Sequence, residues 1–330
     1  MERRELVKEA IKANINAPSR TIARMLHEKY PEYSVDSWRN IARTLRGNNG
    51  ENKRKQLKDK SLVRPNQNPA VVGREYNLQP VDLTVKPYVF KYKKPLILSD
   101  IHLPYHDLDA VVAAVNKGVD EGVDSILLNG DTLDFYQVSR FSKAGNAPSI
   151  REEREMFWEF ISYLKDSIDV PIIFKVGNHE DRLALYIRQN APQFADLHEY
   201  SLKSFLNLDE LGIDYVESRQ KIIMGGLTVL HGHEAGDSIF SPVNPARGAF
   251  LKYKASTLAG HNHQSSSHFE SNIRGELTGC WSTGCLCQMT PEYRPFAYTK
   301  WNHGFAIVKV EKDGSFDVSN YRIINGNVHT

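Results

Sequence analysis

Apolar positions along the chain fall into three regimes. Residues 2–47 repeat them at helical spacing three times. In ERRELVKEAIKAN, Leu6, Ala10, Ile11 and Ala13 fall roughly on one stripe. In SRTIARMLHEKY the stripe is Ile22, Met25 and Leu26, with Pro18 and Ser19 as a start signal. SVDSWRNIARTLRG starts after Ser34, stops at Gly47, and offers Val35, Trp38, Ile41, Ala42 and Leu45 to a core. Residues 48–92 lose the period. Their charged run and Pro-, Asn- and Gln-rich stretch predict a polar linker or strap.

From residue 93 the pattern changes again. Apolar runs of strand length end in polar clusters: KPLILSDIH, DSILLNGD, PIIFKVGNHE, LTVLHGHE and STLAGHNH. Helical stretches at 107–121 and 149–167 separate the first three, the second with Met156, Phe157, Phe160, Ile161 and Leu164 apolar. Strand, helix, strand, helix, strand predicts an α/β core over 93–330. The later segments, through HGFAIVKVEKDGSFDVSNYRII, carry a hairpin signal at Asp313-Gly314 and predict a second, more antiparallel sheet.

Composition narrows the class. The 330 residues are 41% hydrophobic and 25% charged, as in a globular protein. No apolar run approaches the roughly 18 residues of a membrane span. The segment MERRELVKEA has no signal-peptide core, so the expected location is cytoplasmic and no membrane partner is expected. Cys280, Cys285 and Cys287 have neither disulfide-framework nor zinc-knuckle spacing, and read as small buried residues at strand edges.

Charge is uneven. Residues 1–95 carry 21 Lys and Arg against 10 Asp and Glu; the remainder carries 21 against 30. A basic head points to an anionic partner such as DNA, against the plainer account of a solvated helical surface and a charged linker. Three short helices, the last carrying Arg39, Arg43 and Arg46 on its outer faces, resemble a helix-turn-helix head with those arginines as candidate nucleic-acid contacts. A bundle used for protein contacts or homo-oligomerisation has the same pattern.

Polar side chains gather where the strands end, the usual ligand position in open α/β sheets. Asp100 and His102 follow the first strand; Asp131 and Asp134 the second; Asn178, His179, Glu180 and Asp181 the third; His231 and His233 the fourth; His261 and His263 the fifth. One such cluster is ordinary. Five in series would bury many unpaired polar groups at a cost of several kcal/mol each. Divalent cations offset that cost by taking the groups as ligands.

DIH, GDTLD, GNHE, HGH and GHNH, in this order, resemble the five motifs of the calcineurin-like metallophosphoesterase superfamily across residues 93–330. The resemblance implies a sandwich of two mixed β-sheets flanked by helices, here preceded by a small all-α domain. It implies one metal held by Asp100, His102, Asp131 and His263, and a second held by Asp131, Asn178, His231 and His261. Asp131 would bridge them, and a metal-bridging hydroxide would attack phosphorus. His179 would hold the phosphate and assist the leaving group. Asp134 would orient ligands, and His233 would line the site or serve in hydrogen bonding. Nitrogen and oxygen donors without thiolate suit Mn first, with Fe or Zn also compatible.

The substrate is less defined. Phosphoprotein phosphatases of this superfamily carry arginines after GDxxD and before GNHE. Phe135, Tyr136 and Val176 stand there, and Arg182 is a possible substitute or a solvated helix-start residue. With the basic head, the leading expectation is a metal-dependent phosphodiesterase acting on DNA, a nuclease. The alternatives are a small-molecule or nucleotide phosphatase whose head mediates protein contacts, and a non-enzymatic binding protein. Undecayed ligand positions oppose the last. Tyr293, Phe296, Tyr298 and Trp301 could stack bases or pack at the rim, and Arg140 or Lys143 could approach a phosphate.

Overall fold

The computed structural model describes residues 2–49, 60–64, 82–140, 147–236, 243–290 and 298–330. The chain divides into two compact units, Met1–Thr84 and Val85–Thr330. No described helix is long and apolar enough to cross a membrane.

The first unit contains α1 (Arg3–Ala13), α2 (Ser19–Lys29) and α3 (Val35–Leu45). Ser34 caps α3 by accepting from the Ser37 N–H at 3.2 Å. Beyond the helix, Gly47 at φ +67° lets the Asn48 N–H reach the Arg43 carbonyl at 2.8 Å. The core is Val7, Ile11, Ile22, Ala23, Leu26, Trp38, Ala42 and Leu45. Leu6, Ala10, Val35 and Ile41 pack against it partly buried, whereas Ala13 is exposed and Val7 takes its place, and Met25 is 44% exposed and Ala23 faces inward. Small side chains at Ala23 and Ala42 suit the packing of α2 on α3. The core also takes Leu62, and Arg64 Nε donates to the Asn16 carbonyl at 2.7 Å. The head therefore reaches into the segment expected as linker.

Arg46 corrects a second expectation. The sequence pattern places it on an outer face of α3, but it is 1% exposed and donates to the carbonyls of Ala17 at 2.7 Å and Ile15 at 3.1 Å. The helix has ended at Leu45, so the side chain no longer follows the solvent face.

The second unit carries two mixed sheets. The larger contains β2 (Pro95–Leu98), β3 (Ser125–Asn129), β4 (Ile172–Lys175), β5 (Asp214–Val216), β11 (His303–Val310), β12 (Phe316–Ile324) and β13 (Asn327–His329), in the order β13-β12-β11-β2-β3-β4-β5. The smaller contains β1 (Tyr88–Val89), β6 (Ile222–Met224), β7 (Leu227–Leu230), β8 (Thr257–Ala259), β9 (Ser266–Ser271) and β10 (Leu277–Ser282), in the order β1-β6-β7-β8-β10-β9. Strands β2 to β5 are parallel, and β2, β3 and β4 are buried at every position, as strands covered on both faces must be.

Alternation along these strands serves two cores. Leu96, Leu98, Ile126, Leu128, Ile172 and Phe174 pack with α4 (Leu108–Glu121) and α5 (Ile150–Ser167). Ile97, Leu127 and Ile173 point the other way, into a layer shared with Val229, Leu258 and Trp281 of the smaller sheet. Asp107 caps α4, and Ser149 with Glu152 forms a capping box on α5.

The hairpin at Asp313-Gly314 forms, but it does not build the second sheet. β11 pairs antiparallel with β2, which places β11–β13 on the edge of the parallel sheet. The motif strands β7 and β8 belong to the smaller sheet instead. The unit also begins earlier than residue 93. Tyr88 and Val89 pair with β6, and Phe90 is buried between the sheets.

Candidate active site

Strands β2, β3 and β4 of one sheet and β7 and β8 of the other end at a common edge. The loops after β2 and β3 are stitched together, with Asp100 N–H donating to the Gly130 carbonyl at 3.1 Å and His102 N–H to the Asp131 carbonyl at 2.9 Å. Five candidate residues have left-handed backbone: Asp100 (φ 57°), His102 (54°), Asp131 (52°), His261 (66°) and His263 (56°). Each such non-glycine residue costs on the order of 1–3 kcal/mol. The turns direct these side chains into one cluster. Gly177 is required by close approach, since a Cβ there would lie 2.3 Å from Asp131 Oδ1. At Gly260 a Cβ would lie 2.0 Å from Ser99 Oγ and 2.6 Å from Asp100 Oδ2.

The side chains converge. His263 Nε2 lies 3.2 Å from Asp100 Oδ1 and 3.2 Å from His102 Nε2. His231 Nε2 lies 3.2 Å from Asp131 Oδ2 and 3.2 Å from Asn178 Oδ1. His102 and His179 approach Asp131 Oδ2 at 3.9 and 3.8 Å. His261 offers a ring nitrogen within 4.8 Å of ligand atoms of Asp131 and His231. Asp134 Oδ2 stands 3.1 Å from His102 Nδ1. His233 lies off this centre, with Nε2 2.8 Å from Ser218 Oγ, and lines an adjoining cavity of about 320 Å³. Arg39, Arg43 and Arg46 belong to the helical head. Tyr293, Phe296 and Lys143 lie outside the described residues, and Tyr298 is fully exposed.

Several further groups hold the cluster in roles that the sequence pattern did not assign. Glu180 is buried, and its carboxylate accepts from the N–H groups of Gly177, Asp131, Thr132 and Leu133 at 2.7–3.0 Å. It thus fixes two motif loops at once. Arg182 is not a solvated helix-start residue. It donates to the Asp134 carbonyl at 2.8 Å and stands 2.8 Å from His179 Nε2. Lys175, fully buried, pairs with Glu234 at 2.9 Å, and Glu234 accepts from the Gly232 N–H at 2.7 Å behind His231. All three cysteines are buried and free, but Cys287 is more than packing, with Sγ 3.8 Å from His263 Nδ1. Trp301 lays its ring on His263, with centroids 4.2 Å apart.

Burial raises the carboxyl pKa of Asp100 and Asp131, but the facing imidazoles outweigh it and hold both groups ionised, His263 on Asp100 and His231 on Asp131. Reciprocally, burial lowers the His231 pKa and Asp131 reverses this, lifting it to about 10. Protons therefore sit where a divalent cation would otherwise balance the carboxylates. Burial, followed by the Asp134 charge, raises Glu153 to about 8. For Glu234, burial pushes up while Lys175 pulls down, leaving it at about 2.

The residues fit a divalent metal. His231 Nδ1 faces the Asn129 carbonyl at 2.8 Å, which takes that ring N–H, so that a cation displacing the Nε2 proton would find that lone pair directed toward Asp131 and Asn178. His261 Nδ1 is buried without a hydrogen-bond partner among the described residues. His102, Asp131 and His179 form one group of closely spaced ligand atoms, Asp131, His231 and His261 another, and His102, His263 and Cys287 a third.

Known proteins share parts of this chain. The Gene 54 protein of Mycobacterium phage L5 is 26% identical over 229 residues, covering 66% of this chain and 89% of the phage protein; that of phage D29 is 26% identical over 231 residues, with the same coverage. Similar solved structures include a dimetal phosphatase from Danio rerio (12% identity, 71% of this chain, 96% of that chain, TM-score 0.36) and the phosphoesterase Yfce from E. coli (14%, 68%, 98%, TM-score 0.30). The family model for calcineurin-like phosphoesterase matches residues 93–275, a span holding all five strand-end motifs. The chain therefore belongs to the calcineurin-like phosphoesterase family of metal-dependent phosphoester hydrolases.

Proposed function

We propose that the protein is a binuclear-metal phosphodiesterase that cleaves DNA. The observation that carries the hydrolytic part is the buried convergence of Asp100, His102, Asp131, Asn178, His231, His261 and His263 at one sheet edge. In this reading Asp131 is shared by two cations, with Asp100, His102 and His263 on one side and Asn178, His231 and His261 on the other. Mn is the first candidate because the donors are imidazole and oxygen. When bound, such ions polarise phosphoryl oxygens and acidify water.

The chain's own residues do the rest. His179 holds a phosphoryl oxygen and assists the leaving group. Its Nδ1 faces the Asp134 carbonyl at 3.0 Å, which fixes the ring with Nε2 turned toward the cluster, 3.8 Å from Asp131 Oδ2 and 2.8 Å from Arg182. Arg182 supplies a fixed cation beside that nitrogen, a position suited to an oxyanion. Asp134 keeps His102 in one orientation. The DNA part is supported by the arginine-rich head.

A small phosphoester is the second reading, favoured by the cavity of about 320 Å³ beside His261 and Asn178. The deciding assay strips the protein of metal, reloads it with Mn, and offers single- and double-stranded DNA, RNA, free nucleotides and an aryl monoester, with His179→Ala as the contamination control. DNA cleavage that His179→Ala abolishes supports the proposal. Turnover of monoesters with every DNA form intact would overturn it.

A further inference from the structure

The helical head holds a second polar cavity, of about 190 Å³, at the start of α2. Arg20, Arg39, Arg43, Arg46 and Arg64 line it, together with Ser19, and no Asp or Glu does among the described residues. Arg39, Arg43 and Arg46 follow each other at four and three residues, which brings their stems to one side of the chain around α3.

Arg20, Arg39 and Arg43 are incompletely matched among the described residues. Arg39 Nη1 is 3.9 Å from Asp36, whose side chain is 80% exposed, so the pairing is weak. Arg20 and Arg43 have no ion pair among the described residues, and Arg20 Nε is buried without a hydrogen-bond acceptor. Arg46 is held at the cavity wall by its bonds to the Ala17 and Ile15 carbonyls. Pro18 at the N-cap brings no side-chain acceptor to α2, and the positive end of that helix adds to the same potential. Like charges gathered this closely repel, and an anion between them removes the repulsion. Planar guanidinium forks suit phosphate oxygens specifically. The volume equals roughly six water molecules at about 30 Å³ each, room for one tetrahedral oxyanion and a few waters.

We propose that this cavity is a built anion site that seats one phosphate group of a polynucleotide. The proposal rests on the nucleic-acid reading above and makes it specific: the head grips by a phosphate pocket, not by a diffuse basic face. The phosphate has two sources, an internal diester or a terminal monoester.

The test uses the full chain in chelator, so that binding is read without cleavage. Fluorescent DNA is titrated with wild type, Arg20→Gln, Arg43→Gln and the double variant, using strands with and without terminal phosphates. Arg24→Gln is the control, since it removes the same charge from an exposed position on α2 outside the cavity. Melting and helical circular dichroism verify that each variant is folded. The double variant is expected to bind DNA about tenfold more weakly or worse, and its salt dependence should be shallower by about one unit for each phosphate it no longer grips. Arg24→Gln is expected to stay within about twofold of wild type. A loss confined to phosphorylated ends assigns the terminal monoester; an equal loss on all strands assigns the internal diester. Unchanged affinity in the double variant, or an equal loss in Arg24→Gln, overturns the proposal. Failure of the two readings is separable. DNA bound through the cavity but never cleaved under Mn sinks the nuclease reading alone, while DNA cleaved with unchanged affinity in the double variant sinks this one alone.

Discussion

Buried charge is handled differently in two regions of this molecule. Arg46 in the head is 1% exposed, yet both of its terminal guanidinium nitrogens donate to backbone carbonyls of its own unit. Lys175 and Glu234 in the phosphoesterase unit likewise complete each other. The strand-end cluster does not. Asp100 and Asp131 are held ionised by imidazoles that must then carry protons, and His261 Nδ1 is buried with no partner among the described residues. Completed charges brace a fold, whereas incomplete ones mark where an external ion or substrate acts.

The sharpest way to break this contrast is at Asp131. Asp131→Asn keeps the shape and removes the charge. Turnover of a phosphoester is expected to fall about a thousandfold, matching the several kcal/mol that a catalytic metal contributes. Steady-state kinetics at saturating metal checks this, and a loss of less than about tenfold would remove Asp131 from the centre of the account.

Next comes the completed pair. Lys175→Met leaves the largely enclosed Glu234 carboxylate without its cation, and chemical denaturation is expected to register a loss of up to about 3 kcal/mol. The pair also sets an acid limit. Glu234 is depressed in the fold, so its stabilisation is present above its ordinary value of 4.5 and drains away as pH falls toward about 2. Stability measured from pH 5 to 2 should fall less steeply in Glu234→Gln than in the parent.

Metal should act on one region only. At a hundred times its dissociation constant, a divalent ion is expected to stabilise the phosphoesterase unit by about 2.7 kcal/mol. The helices of the head should keep their amide exchange rates. Slowed exchange in α1–α3 but not at β2–β4 would reverse the comparison.

The smallest effect concerns Glu153. Its pKa is raised to about 8, so the fold carries it neutral while the unfolded chain ionises it above about 4.5. The sign is therefore unfavourable: as pH rises from 4.5 to 8 the carboxyl destabilises the fold progressively. Glu153→Gln escapes this, and its melting temperature should gain on wild type between pH 5 and 8. A constant difference across that range would mean that the carboxyl does not titrate there.

Much of this was legible in the sequence. Apolar runs of strand length ending in Asp, His and Asn placed β2, β3, β4, β7 and β8, and their ends meet. Helical spacing placed α1–α5 within a residue or two. Side-chain periodicity does not say which sheet a strand joins, because alternation is the same on either. Hence the pattern assigns β11 and β12 to the second sheet, where they are not found. Nor can periodicity follow Arg46 past the end of its helix. Lys175 escapes notice, Glu180 is visible only as a member of its motif and Cys287 only as a small buried residue, for a common reason: each acts through partners distant in sequence, such as Glu234, Asp131 and His263.

The most direct test of the central claim, that the strand-end cluster is an incomplete metal centre, is a calorimetric Mn titration of metal-stripped protein with hydrolysis followed on the same sample. The account predicts two ions bound per chain, no turnover before the titration and turnover that rises with occupancy, with Asp131→Asn deficient in both. Full turnover in excess chelator, or no ion bound, would contradict it.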